Sequence, residues 1–143
     1  MHKLILVLVV YKIQLLVMFA AEPGREFRKL VPALIQVESS GRDWVIGDKR
    51  LGERAYGPLQ IRKPVTDDVN RAYGTNYRAE DMLGNRKLSI EVCGKYLKLY
   101  AKRERLGMEA TPEILARIWN GGPNGWKRDI TLQYWRKVKR NLS

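Results

Sequence analysis

A chain of 143 residues, 45% hydrophobic and 29% charged, has room for one modest core, which excludes multidomain architectures, large barrels and disordered or low-complexity chains. Its 27 lysines and arginines against 15 acids leave a net charge of +12, which points to an anionic partner. Cys93 and His2 are the only cysteine and histidine, so disulfide frameworks, thiolate zinc clusters and histidine-based triads or metal sites drop out, and chemistry must run on carboxylates, hydroxyls, amides or lysines.

The first segment differs from the rest. After Met1-His2-Lys3, Leu4 to Ala21 is apolar except for Lys12 and Gln14, and small residues, Ala20 and Ala21, precede the polar Glu22-Pro23-Gly24. Residues 1–21 are therefore expected to be an export signal or an uncleaved membrane anchor, with the signal favoured because Lys12 is costly at mid-bilayer. Lys3 and Lys12 are the only lysines or acids of that stretch, so the remainder, residues 22–143, keeps a net +10.

Phe27, Leu30, Val31, Leu34, Ile35 and Glu38 fall on one helical face, and Ser39-Ser40-Gly41 stops the pattern. Pro32 either kinks this helix or marks the start of its regular part, with 27–31 as an irregular lead-in. Trp44 to Ile46 and Tyr56 to Ile61 read as two short extended pieces joined by the turn-rich stretch Gly47 to Arg54. Asn85 to Arg105 carries a helical stripe at Ile90, Cys93, Leu97, Tyr100 and Ala101, with Gly107 beyond it. Thr111-Pro112-Glu113 opens a helix that runs to Trp119 and is stopped by Asn120-Gly121-Gly122-Pro123. Residues 129–140 form a last basic helix. The class is α+β, predominantly helical, with a small hairpin.

One carboxylate ends an apolar stripe. Glu38 faces the negative end of its helix dipole and is desolvated, and both effects raise a carboxyl pKa. A general acid that protonates a glycosidic oxygen at neutral pH needs that shift. A glutamate paired with one of the many cations is the competing reading, and periodicity alone does not separate the two.

Three stretches narrow the choice. Ala33 to Gly41 (with Glu38-Ser39), Ala55 to Ile61 (with Gly57 and Gln60) and Ala116 to Pro123 (with Trp119-Asn120) resemble, in order and spacing, the three motifs of soluble lytic transglycosylases with the goose-lysozyme-like fold. With Asp81 to Asn85 and Tyr96-Leu97, the resemblance covers about residues 27–126 and leaves the N-terminal segment and the final helix outside it. It implies a lysozyme-like fold, Glu38 as the single catalytic acid/base, and Ser39, Gly57, Gln60 and Asn120 as residues that orient or bind the glycan. Two departures stand out: Pro58 replaces an aliphatic residue, and Trp119 replaces a tyrosine whose hydroxyl would reach the carboxylate. Trp119 and Tyr56, beside Gly57, are added as site-lining aromatics.

The implied activity is cleavage of the β-1,4 bond between N-acetylmuramic acid and N-acetylglucosamine in peptidoglycan, without metal or organic cofactor. In the transglycosylase version Glu38 protonates the glycosidic oxygen, then takes the proton from the muramyl C6 hydroxyl, which closes on C1 as a 1,6-anhydro product. In a lysozyme version a second carboxylate, drawn from Asp43, Asp48 or Glu53, serves the opposite face. A non-catalytic cationic protein that binds wall or membrane is the third reading. Nucleic acid is a poor candidate, because the chain has no zinc-finger ligand set, RNA-binding aromatic motif or phosphate loop. An exported monomer is expected, in the periplasm, cell envelope or medium, with basic clusters at 102–105 and 136–140 held to anionic wall polymers or membrane.

Overall fold

The computed structural model describes residues 23–50 and 52–143, and the expected signal or anchor lies outside them. Helix α1 (Pro23–Ser39) is followed by a two-residue strand β1 (Ile46–Gly47) that pairs antiparallel with β2 (Ala55–Tyr56), Ile46 opposite Tyr56 and Gly47 opposite Ala55. Then come α2 (Lys63–Tyr73), a 3₁₀ turn (Ala79–Met82), α3 (Arg86–Tyr100), the short α4 (Arg103–Leu106), α5 (Pro112–Gly121), two 3₁₀ turns (Gly125–Lys127 and Asp129–Thr131) and α6 (Leu132–Lys139). Among the described residues no helix is long and apolar enough to cross a membrane.

The α1 stripe becomes the centre of the core. Leu30 and Leu34 are fully buried, and α1 packs against α3, α5 and α6, which contribute Val92, Ile118 and Val138, all without solvent exposure. Pro32 does not delay the helix: it lies inside α1 on the solvent-exposed face. The expected helix at 85–105 is shorter, because the backbone turns extended at Lys102 and restarts as α4. Its punctuation holds at the other end, where the Asn85 side chain accepts from the Leu88 N–H at 3.1 Å; Thr111 caps α5 in the same way from Ile114 at 3.2 Å. Helix α2 carried no clear sequence signal, having an apolar stripe reduced to Val65, Val69 and Ala72 among charged residues.

The expected extended pieces are real but short, and the second folds back on itself. Tyr56 bridges Ile61, so Gly57 to Gln60 is a tight turn. Gly57 has φ 76°, and a Cβ there would collide with the Met82 carbonyl, a position only glycine can fill.

Candidate active site

Glu38 lies on the last turn of α1. Beyond it the chain reverses through Ser40 (φ 53°) and Gly41 (φ 79°), and Arg42 closes the helix by donating through its backbone N–H and Nε to the Ser39 carbonyl at 3.2 and 3.0 Å. The residue keeps part of its surface in solvent while its carboxyl lies deep. Tyr134 in α6 donates its hydroxyl to Glu38 Oε1 at 2.6 Å, across 96 residues of sequence, and the Trp119 indole in α5 supplies a second hydrogen bond. Burial raises the carboxyl pKa above its ordinary value; the Tyr134 and Trp119 hydrogen bonds and the positive charge of Arg62 oppose that rise, and Asp48 adds to it. Burial, with the neighbouring carboxylate, also pushes the Tyr134 phenol well up, so it stays a donor.

Tyr134 is the residue that sequence reasoning missed. The resemblance put a tyrosine at the position of Trp119 and stopped at about residue 126, whereas the hydroxyl arrives from the final helix. The α5–α6 corner explains how. The buried Thr131 hydroxyl accepts from Arg117 Nε at 2.9 Å and lies 2.7 and 2.8 Å from the Gly125 and Arg128 carbonyls. Gly125 sits so close to the Arg117 carbonyl, and Gly121 to Thr131, that a Cβ at either would clash. This tight turn aims the inward face of α6 at the end of α1. The signal in the sequence was the spacing of Tyr134 and Val138 on one face of a basic helix, which marks a buried face without naming what it meets.

The other expected site residues are distributed as follows. Ser39 is buried and donates its hydroxyl to the Ile35 carbonyl at 3.0 Å, a bond internal to α1. Gln60 (φ 50°) turns its amide inward, donating to the Val45 and Gly57 carbonyls at 3.1 and 3.0 Å, and ties the hairpin to the turn that follows it. Its side-chain oxygen lies against Gly47, where a Cβ would not fit. Tyr56 is half-buried on β2 and packs on the core, and Asn120 is exposed near the end of α5. Trp119 meets the Tyr96 ring edge-on, with centroids 5.8 Å apart, which fixes the indole beside Glu38.

Of the three candidate second carboxylates, Asp43 forms an ion pair with Arg86 at 2.7 Å. Asp48, at φ 54° just past β1, pairs with Arg62, and its negative charge adds to the rise in the Glu38 pKa. Glu53 is exposed in the hairpin loop and its charge acts on Lys63. Cys93 is buried near Glu38, and burial raises its thiol pKa well above the usual value, so it is an inert neighbour. Among the described residues no group of three or more histidines, cysteines or carboxylates is gathered as a metal-ligand set. A groove of about 760 Å³ opens elsewhere, lined by Phe27, Ile90, Gly94 and Leu97; Phe27 is eleven residues, or roughly 16 Å of helix, from Glu38.

A small antiparallel hairpin following a central helix, with a buried glutamate at that helix's C-terminal end, defines a lysozyme-like α+β fold, and solved structures bear this out. The inhibitor-bound lysozyme from Meretrix lusoria superposes with a TM-score of 0.66 at 23% identity, and the Tapes japonica lysozyme with 0.65 at 24%, each covering 78% of this chain and 87% of the other. In sequence the chain is similar to an invertebrate-type lysozyme of Ruditapes philippinarum, 27% identical over 118 residues, 82% of this chain and 83% of that protein. A lysozyme of Magallana gigas is 35% identical over 83 residues, 57% of this chain and 56% of its own length. No protein-family model matches. These relatives are lysozymes, and none of them supports the narrower resemblance to soluble lytic transglycosylases.

Proposed function

We propose that this protein is a lysozyme of the invertebrate type, exported to hydrolyse the glycan strands of bacterial peptidoglycan, with Glu38 as the general acid. The observation that carries this reading is the Glu38 carboxyl, buried, raised in pKa and held by Tyr134 at 2.6 Å and by Trp119, within a lysozyme-like fold. A carboxyl whose pKa is raised keeps its proton to higher pH and delivers it to the glycosidic oxygen as the C1–O bond breaks, and the resulting carboxylate is stabilised by two donors already in place. Asp48 is the second carboxylate of the reaction, stabilising the oxocarbenium-like centre or serving it from the opposite face. Arg62, paired with Asp48, sets a positive charge near the site that opposes the rise in the Glu38 pKa. Hydrolysis, with water as acceptor, replaces the 1,6-anhydro reaction expected from the motifs alone.

The test is mass spectrometry of the fragments released from purified peptidoglycan by residues 22–143, with Glu38→Gln and Asp48→Asn proteins beside it. Reducing-end products that disappear with Glu38→Gln and fall by at least about a hundredfold with Asp48→Asn are expected. Products lighter by one water, formed with or without Asp48, would restore the lyase. Equal bacteriolysis by wild type and Glu38→Gln would leave positive charge as the agent.

A further inference from the structure

Trp44 leads from α1 into the hairpin, six residues beyond Glu38, and is 77% exposed. A tryptophan this open is unusual, because its indole is among the largest apolar surfaces a side chain can bury. It is also firmly seated. One part of the indole lies on Gly84 (φ 71°), so close that a Cβ at that glycine would fall within the ring. The Gly84 N–H donates to the Asp43 carbonyl at 2.9 Å, Asp43 pairs with Arg86 at 2.7 Å, and Arg86 also donates to the Gly41 carbonyl at 2.6 Å. On the other side of Trp44, the Val45 carbonyl accepts from Gly57 N and Gln60 Nε2. Both flanking residues are thus clamped to distant parts of the chain, while the rest of the ring is open to solvent.

We propose that Trp44 is a stacking platform for a hexosamine ring of the glycan strand, forming a subsite away from the bond that is cut. The proposal rests on the glycosidase reading of the Glu38 site. An aromatic face fixed before binding loses little conformational freedom when a sugar's C–H face covers it. Six residues of chain span at most about 20 Å, so one oligosaccharide can lie over both Glu38 and Trp44. Among the described residues the other exposed large apolar side chains, Tyr73, Met108 and Ile130, lie on the end of α2, beyond α4 and in the 3₁₀ turn before α6, so none of them comes from the segment that carries Trp44.

The experiment compares kcat/KM on the trimer and the hexamer of N-acetylglucosamine for wild type, Trp44→Ala and Trp44→Phe, with the urea midpoint of each protein measured alongside. Trp44→Ala is expected to lower the hexamer value about three- to tenfold more than the trimer value, with part of the loss recovered by phenylalanine and the urea midpoint little changed. Equal losses on both lengths, or none, overturn the platform and leave the glycosidase intact. If wild type cleaves neither oligomer and also fails to release fragments from peptidoglycan, the glycosidase reading fails on its own. The Trp44 indole N–H resonance during hexamer titration then decides the platform: a saturable shift keeps it as a glycan contact, and no shift overturns it. A shift with phosphatidylglycerol vesicles but not with the hexamer overturns it in favour of a membrane anchor.

Discussion

Glu38 is a residue whose stability cost and chemical use have the same physical source. Burial raises its pKa, so the folded state binds its proton more tightly than the unfolded chain does. The stability linked to that proton is complete below the unfolded pKa and is lost as pH rises through the folded one. Glu38→Gln, which cannot ionise but can still accept from Tyr134, is therefore expected to melt at a higher temperature than wild type, by a margin that widens between about pH 4 and about pH 8 in calorimetry. A margin that narrows over that interval would contradict a raised pKa. Tyr134→Phe removes a donor that favours the charged carboxylate, so the Glu38 pKa should rise further. Because a general acid loses activity as pH climbs through its pKa, the alkaline limb of the pH–rate profile should move up by about one to two units, since such bonds contribute roughly 1.5–3 kcal/mol. A limb that stays in place while the rate falls uniformly would make Tyr134 a packing residue only.

At the scale of elements, the hairpin and the α5–α6 corner do the positioning. In the hairpin, Gly57 and Gln60 join β2 to the loop ahead of α2 and fix the chain that carries Arg62, the partner of Asp48. Gly57→Ala combines a left-handed backbone with a clash against the Met82 carbonyl and should cost ~2 kcal/mol or more in urea unfolding. Gly52→Ala, whose new methyl meets nothing within 4 Å, should stay within about 0.5 kcal/mol of wild type. Similar losses in both would mean that the fit at Gly57 is not their cause, since the unfolded-chain effect of alanine for glycine is stabilising. Of the residues expected to touch sugar, Ser39 and Gln60 direct their polar groups to the backbone and Trp119 directs its indole N–H to Glu38, where the unexpected Tyr134 joins it.

Over the whole molecule the net charge of +12 acts at longer range than any single bond. If it draws the enzyme to phosphate-bearing wall polymers, raising salt from about 50 mM to about 500 mM should depress the rate on intact walls several-fold, because the screening length falls well below 10 Å. The rate on neutral soluble oligosaccharides should change little over the same range. Parallel losses on both substrates would assign the salt effect to the site itself, where Arg62 and Asp48 lie, and remove the wall-attachment role.

The sequence by itself determined the elements whose signals are local. Asn85 and Thr111 as caps, Gly107 and Gly122 as stops, and an apolar stripe ending in Glu38 follow from backbone chemistry and helical spacing that need no tertiary partner. Trp119 was named through a family resemblance, and the structure places its indole beside Glu38. Only the tertiary structure decided which hydroxyl binds Glu38. A stripe of apolar residues tells a helix which face to bury, but the element it meets depends on how the corners between helices pack. In this chain those corners bring Tyr134 to Glu38 across 96 residues of sequence, and the start of α3 brings Arg86 to Asp43.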